Sequence, residues 1–164
     1  METPLEVQIG HLLRQKRWKF ATAESCTGGL IGHRITEIPG SSEYYLGGVV
    51  AYAYEAKVTL LGVSWETLQR YGAVSRETVL EMAHGVRTRL GADIAVSVSG
   101  IAGPGGATPD KPVGTTWLGL VTAEGEWARL YRFDGDRTEN KAQAAQAALQ
   151  FVLDILTELH SPNR

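Results

Sequence analysis

A serine, a tyrosine and a lysine occur within residues 39–57 at a spacing that could support nucleophilic hydrolysis without histidine or metal. Ser42 follows a Pro-Gly turn, a buried strand is predicted over 46–53, and Tyr52 and Lys57 lie at or just past its far end. A lysine can deprotonate a serine hydroxyl if burial lowers the lysine pKa towards neutrality. A tyrosine hydroxyl can relay the proton or orient the amine.

The same three residues also fit a purely structural interpretation. Serines after Pro-Gly are common in turns and helix caps, and a lysine that follows a strand is usually solvated. The sequence alone does not show that Ser42, Tyr52 and Lys57 meet. Both interpretations stay open at this point.

Length and composition indicate one ordinary soluble globular domain. The chain has 164 residues, of which 43% are hydrophobic and 21% charged. A net charge of −2 argues against a dedicated nucleic-acid-binding protein. The basic residues within 14–19 are expected to end the first helix, where cations complement the helix dipole. Cys26 is the only cysteine, so no internal disulfide is possible.

The sequence shows no export signal, and a cytoplasmic location is expected. The first residues lack the basic start and apolar core of a signal peptide, and no apolar run reaches the roughly 20 residues that span a bilayer. The four histidines are scattered without a metal-binding spacing. We therefore expect neither a metal nor a cofactor, and no membrane partner.

Two glycine-rich segments could approach a ligand. Residues 24–29 join a predicted strand to a helix, so their N–H groups could bind an anion or could only allow close packing. Residues 100–106 follow a second buried strand and could form a ligand loop or a plain connector. Arg137 is expected at the start of the last helix, where its charge opposes the dipole. It could hold an anion or carboxylate, or it could be a surface charge.

The order of predicted elements is helix, strand, helix, strand, helices, three strands and a helix. The last two strands are joined through Glu124-Gly125, which indicates a hairpin and so at least one antiparallel pair. We expect an α/β fold: a single three-layer α/β/α domain over residues 1–164 with a mixed sheet of about five strands.

Six short segments together resemble the CinA C-terminal domain family, which includes the nicotinamide-nucleotide amidases. The six segments occur in the order that the family shows, over nearly the whole chain. Together they identify the family, which a single segment would not. The segments are Ala23-Glu24-Ser25-Cys26-Thr27-Gly28-Gly29, Pro39-Gly40-Ser41-Ser42, Glu55-Ala56-Lys57, Gly72-Ala73-Val74-Ser75, Ser99-Gly100-Ile101-Ala102-Gly103-Pro104 and Lys111-Pro112-Val113-Gly114-Thr115.

The resemblance implies hydrolysis of the carboxamide of nicotinamide mononucleotide to nicotinate mononucleotide and ammonia, as in pyridine-nucleotide salvage. By motif, Ser42, Lys57 and Tyr52 look like the family's catalytic serine, lysine and tyrosine. It also implies a homodimer or higher homo-oligomer. Because other family members carry a larger N-terminal domain that these 164 residues do not contain, the resemblance leads us to expect the stand-alone form.

The hypothesis that follows assigns a role to each matching residue. Ser42 attacks the carboxamide carbon, neutral Lys57 takes the serine proton, and Tyr52 helps to protonate the leaving ammonia. Glycine-loop N–H groups and Ser99 hold the oxyanion or amide. The expected substrate-binding residues, some of them for the ribose-phosphate, are Ser25, Thr27, Gly28, Ser99, Gly100 and Arg137.

The sequence departs from the family pattern at two places. Residues 51–54 read Ala-Tyr-Ala-Tyr where the family usually has Thr-Tyr-Ser-Asn, and Lys141 stands where a second arginine is frequent. The altered segment 51–54 motivates one rival, a non-catalytic module that binds a pyridine nucleotide or another partner. A second rival is an amidase in which Cys26 is the nucleophile, with Glu24 and Lys57 as partners.

Overall fold

A computed structural model describes residues 2–160, so the ends of the expected 1–164 domain lie outside the described residues. Within that range the order of elements matches the sequence prediction. The helices are α1 (Leu5–Lys16), α2 (Leu30–Thr36), α3 (Tyr54–Leu61), α4 (Trp65–Tyr71), α5 (Arg76–Leu90) and α6 (Arg137–His160). The strands are β1 (Phe20–Glu24), β2 (Tyr45–Val50), β3 (Ile94–Gly100), β4 (Thr115–Thr122) and β5 (Gly125–Arg132), with a one-turn 3₁₀ helix (Ser41–Glu43) before β2.

The five strands form one mixed sheet in the order β2-β1-β3-β4-β5. β1 pairs in parallel with both β2 and β3, whereas β4 is antiparallel to β3 and to β5. The predicted hairpin is therefore confirmed. β1 is buried along its whole length because it has a strand on each side and a helical layer on each face.

Helices cover both faces of the sheet, which confirms the expected three layers. One apolar core lies between the sheet and α1, α2 and α6, and includes Ile9, Ile31 and Leu149. The other core lies beneath α3, α4 and α5, and includes Leu61 and Met82. No described helix combines the length and the apolar character needed to cross a membrane.

The close packing of α3 on α5 depends on a glycine. A β-carbon at Gly85 would lie 1.8 Å from the carbonyl oxygen of Leu61, the last residue of α3. Only glycine permits this approach, because any side chain would collide with backbone. The contact fixes the helix that carries Lys57 against the rest of the domain.

Candidate active site

The candidate site lies where the parallel strands end at the carboxyl edge of the sheet. The chain leaves β1 for β2 on one side, then crosses through α3, α4 and α5 to β3 on the other side. Where successive connections of an α/β sheet lead to opposite sides of one strand, a crevice opens between the loops that follow the strands. Ser25 follows β1, Tyr52 follows β2, and Ser99 belongs to the end of β3.

Lys57 is the central side chain of this crevice. It is 1% exposed, and its Nζ lies 2.9 Å from Ser25 Oγ, 3.0 Å from the Ala51 carbonyl oxygen and 2.9 Å from the Tyr52 carbonyl oxygen. Burial lowers the pKa of Lys57 from 10.5 to about 8. No carboxylate lies within ion-pair distance of its ammonium in the described part of the chain.

This arrangement can direct a basic lone pair at Ser25. A neutral lysine has two N–H donors, and the carbonyls of Ala51 and Tyr52 provide one acceptor for each. The remaining lone pair then faces Ser25 Oγ, which can donate its proton to Nζ. Ser25 itself is 6% exposed and is held by its backbone N–H, which donates to the Val98 carbonyl at 3.0 Å.

The structure does not bring Ser42 to Lys57, and it corrects the hypothesis that Lys57 takes a proton from Ser42. Ser42 is exposed in the 3₁₀ helix before β2, whereas Lys57 comes after the other end of that strand. The six residues of β2 span about 20 Å. Because β1 and β2 run in parallel, a serine that follows β1 reaches the lysine, and a serine that precedes β2 does not.

Tyr52 contributes its backbone to Lys57 and its side chain to another contact. Its carbonyl accepts from Lys57 Nζ, but its side chain is 61% exposed and its hydroxyl lies 3.1 Å from Arg137 Nη2. The hydroxyl is therefore not paired with Ser25 or Lys57. Arg137 Nη1 also donates to the Gly103 carbonyl at 2.8 Å, so this arginine joins the segment after β2 to the glycine-rich loop.

Ser99 and Gly100 lie beside Ser25 for different reasons. Glu24 pairs with Val98 in the parallel ladder, which places Ser25 next to the buried Ser99. The two serines therefore border the same crevice. Gly100 is required by packing, because a β-carbon there would lie 2.5 Å from Thr116 Oγ1.

The glycine turn after β1 does not offer the anion site considered from the sequence. The buried Glu24 carboxylate accepts hydrogen bonds from the N–H groups of Gly29 (3.2 Å), Ile31 (2.9 Å) and Gly32 (3.0 Å). Thr27 Oγ1 also donates to Glu24, at 2.5 Å, so the predicted ribose-phosphate role of this hydroxyl is not supported by the geometry. The start of α2 is capped from within the protein.

Glu24→Ala is expected to lower the free energy of unfolding by about 3 kcal/mol, because several buried donors lose their only acceptor. Urea denaturation measures the change. The control is Glu37→Ala at the exposed end of α2, for which we expect no more than about 0.5 kcal/mol. Equal effects of the two substitutions would show that Glu24 does not organise this turn.

Cys26 has the opposite electrostatic setting from that of an activated thiol. An amidase with Cys26 as its nucleophile would require a lowered thiol pKa. Burial instead raises the pKa of the Cys26 thiol to about 11. Cys26 is 8% exposed and belongs to the core beneath α1, α2 and α6. The helix α2 also begins four residues later, with its N-terminus occupied by Glu24.

Cys26→Ala is expected to leave kcat/KM within a factor of about two, because the thiol touches no reacting atom. In the wild type, alkylation of Cys26 by iodoacetamide at pH 8 is expected to be far slower than that of a free cysteine, since the thiolate fraction is small. Alkylation is followed by intact mass. Rapid alkylation together with loss of turnover in Cys26→Ala would restore the cysteine mechanism.

The unusual segment 51–54 leaves the lysine contacts intact. Ala51 and Tyr52 interact with Lys57 through backbone carbonyls, which any residue provides. Ala53 precedes α3 without a side-chain cap. Tyr54 packs its ring against Trp65 of α4, with centroids 6.4 Å apart. The added aromatic ring thus joins α3 to α4.

Within residues 2–160, no cluster of three or more His, Cys, Asp or Glu side chains has the proximity of a metal site. The close contact that the sequence reasoning did not anticipate is the one between Ser25 and Lys57. A signal for it was present, because Ser25 directly follows a buried strand whose neighbours also end at that edge.

Comparisons with known proteins agree with this architecture. The family model described as the CinA C-terminal domain matches residues 2–156. A solved structure of a CinA superfamily protein from Klebsiella pneumoniae is 36% identical, with a TM-score of 0.90 over 94% of this chain and 96% of that one. The CihA protein of Agrobacterium tumefaciens is 41% identical, with a TM-score of 0.86 over 96% and 99% of the two chains.

Two curated relatives differ in how much of their length this chain covers. A CinA-like protein of Salinibacter ruber is 52% identical over 149 residues, which are 91% of this chain but 36% of that protein. The nicotinamide-nucleotide amidohydrolase PncC of Enterobacter agglomerans is 51% identical over 150 residues, which cover 91% and 92% of the two chains. The chain thus spans about a third of the first relative and nearly all of the second.

Proposed function

Because this chain belongs to the CinA C-terminal domain family, we propose that it hydrolyses the carboxamide of nicotinamide mononucleotide to nicotinate mononucleotide and ammonia. The observation that carries this proposal is the 2.9 Å contact between Ser25 Oγ and the buried Lys57 Nζ. A relative of matching length bears the name of that activity. An amide is a poor electrophile, so its hydrolysis needs an activated nucleophile of this kind.

In the acylation step, neutral Lys57 accepts the Ser25 hydroxyl proton while Ser25 Oγ forms a bond to the carboxamide carbon. The tetrahedral intermediate then collapses, the C–N bond breaks, and the Lys57 ammonium returns the proton to the leaving nitrogen as ammonia departs. The product of this half-reaction is an ester of Ser25. The contacts of Nζ with the Ala51 and Tyr52 carbonyls hold the amine in place in both protonation states.

In the deacylation step, a water molecule takes the place of ammonia. Lys57 accepts a proton from the water as its oxygen attacks the ester carbon. The C–O bond to Ser25 breaks, and Lys57 returns the proton to Ser25 Oγ. The acid product leaves and the neutral lysine is regenerated, so no proton or atom is left over.

The backbone after Ser25 can stabilise the developing oxyanion. The N–H groups of Cys26 and Thr27 donate to no oxygen in the described residues, whereas those of Gly28, Gly29 and Ile31 are engaged. The N–H of the residue after a nucleophilic serine is a common oxyanion donor. Ser99, beside Ser25, is placed to orient the amide group of the substrate.

The experiment is release of ammonia from nicotinamide mononucleotide by the purified protein, with free nicotinamide as a second substrate. Release from the mononucleotide supports the proposal. Binding of the mononucleotide without release would favour the non-catalytic module instead. Assembly as a homodimer or larger homo-oligomer stays a prediction from the family resemblance, and light scattering of the same preparation checks it.

A further inference from the structure

Asn140 is a buried polar side chain on a helix face that is otherwise apolar. It lies near the start of α6, is 3% exposed, and is followed on the same face by Ala144 and Ala148. The other buried residues of α6 are all Ala, Leu, Phe, Val or Ile. A buried amide costs free energy unless its donors and acceptors find partners, so the reason for an amide here must lie in its contacts.

The Asn140 amide joins the glycine-rich loop, residues 100–106, to the start of α6. Its Nδ2 donates to the Ala102 carbonyl at 3.0 Å and to the Gly135 carbonyl at 3.0 Å, and its Oδ1 accepts from the Gly135 N–H at 3.0 Å. Both N–H donors of the amide are therefore used. The bonds to Gly135 fix the chain just before α6, and the bond to Ala102 fixes the loop against the helix.

The bond to the loop forms just where the chain leaves the sheet. Two backbone hydrogen bonds between Ile101 and residues 114–115 close the base of this excursion. Beyond that base, and within the described structure, residues 102–106 make only two hydrogen bonds to other segments. Asn140 forms the buried one, and the exposed Arg137 forms the other. Asn140 is thus the buried anchor of the loop.

The loop begins beside the candidate nucleophile. Gly100 is its first residue, and the buried Ser99 just before it borders the crevice next to Ser25. Asn140 contacts neither Ser25 nor Lys57, whose mutual contact is formed by the segment after β1 and by α3. Loss of the Asn140 amide would therefore release the loop and leave the reacting pair unchanged. A loop that is not held before binding must be ordered by the substrate, which weakens affinity.

We propose that Asn140 is a positioning residue that holds the glycine-rich loop in the conformation that receives the substrate. The inference rests on the proposed function, because the affinity that it concerns is that for the mononucleotide. The two bonds to Gly135 alone would describe a residue that only stabilises the start of a helix. The bond to Ala102, 38 residues away in sequence, gives Asn140 a second role at the crevice.

The test measures ammonia release by Asn140→Leu and Asn140→Asp. Both substitutions remove the donor to Ala102, whereas Asn140→Asp keeps an acceptor for the Gly135 N–H. We expect KM for nicotinamide mononucleotide to rise at least about tenfold in both variants, with kcat within a factor of about two of the wild type. The pH profile should keep its midpoint near the pKa of Lys57, about 8, because the base is untouched. An unchanged KM in both variants would overturn the proposal.

Ser97→Ala is the matched control. Ser97 is also fully buried, and its Oγ donates to the Val79 carbonyl, so the substitution removes a buried hydrogen bond between β3 and α5 without touching the loop. We expect its KM to stay within a factor of about two of the wild type. A rise in KM as large as that in the Asn140 variants would mean that lost stability, and not the loop, weakens binding, and would also overturn the proposal.

Amide hydrogen exchange of the free protein, followed by NMR, tests the loop without turnover. In Asn140→Asp the N–H groups of Ile101 and Gly114 should exchange at least about tenfold faster than in the wild type, whereas that of Ser25, bonded to the Val98 carbonyl, should not. Equal rates in the two proteins would contradict the role of Asn140.

Calorimetry separates this role from the hydrolytic function. If the wild type binds the mononucleotide and Asn140→Asp binds it more weakly, but neither releases ammonia, the hydrolytic function fails and the role of Asn140 stands. If both proteins release ammonia with the same KM, the hydrolytic function stands and the role of Asn140 fails. No binding of the mononucleotide by the wild type would overturn both.

Discussion

Ser25→Ala is expected to reduce kcat for ammonia release by at least about 1000-fold, whereas Ser42→Ala is expected to stay within a factor of about two of the wild type. The hydroxyl of Ser25 is the only one that Lys57 Nζ contacts in the described structure, at 2.9 Å. Alanine removes the nucleophile and leaves the turn after β1 otherwise intact. Ser42 is exposed beyond the opposite end of β2, where it can affect neither the base nor the crevice.

Steady-state assays of ammonia with both variants test this contrast. The two substitutions are chemically identical, so each is the matched control for the other. Substrate binding by Ser25→Ala should persist, which separates loss of the nucleophile from loss of the fold. Loss of turnover in Ser42→Ala with retention in Ser25→Ala would reverse the assignment and would favour the interpretation made from the sequence.

The activity of the wild type is expected to rise with pH and to level off above the pKa of Lys57, about 8. The base is the neutral amine, so kcat/KM below this pKa should fall about tenfold for each pH unit, which gives about 1% of the plateau at pH 6. Lys57→Met is expected to lower kcat by at least about 1000-fold and to remove this pH dependence. A profile that is flat from pH 6 to 9 in the wild type would exclude Lys57 as the base.

The same lowered pKa determines the sign of a stability effect. In the unfolded chain Lys57 holds its proton up to its ordinary pKa of 10.5, whereas the folded protein releases it at about 8. Between these values the unfolded state binds more protons, so the contribution of Lys57 to stability rises with pH across this window. The difference in unfolding free energy between the wild type and Lys57→Met should therefore shift in favour of the wild type from pH 8 to 10.

The fold followed from local patterns that each occupy a few residues. The buried strand before Ser25, the Glu124-Gly125 turn and the apolar stripe of α6 each identify an element without long-range information. The order of these elements then restricts the architecture, because helices that alternate with strands must cover both faces of a sheet. The three layers and five strands were predictable for this reason.

The pairing within the site was not predictable in the same way. Ser42 is nearer to Lys57 in sequence than Ser25 is, yet a strand separates Ser42 from the lysine and a strand pairing brings Ser25 to it. Two other features depend on tertiary contacts. The Glu24 carboxylate accepts hydrogen bonds from the first N–H groups of α2, and burial raises the pKa of the Cys26 thiol. The sequence of this segment is nevertheless typical of anion binding or of a reactive thiol. The hydrogen bonds of Glu24 and the pKa of Cys26 both depend on which side chains and backbone groups the fold buries next to each other.

The most direct test of a Ser25 nucleophile is the location of the acyl group during turnover. The wild type is mixed with saturating nicotinamide mononucleotide, stopped in acid within the first turnovers, digested and mapped by mass spectrometry. The account predicts a nicotinate mononucleotide ester on the peptide that contains Ser25, absent from Ser25→Ala. An ester on Ser42, a thioester on Cys26, or undiminished ammonia release by Ser25→Ala would contradict it.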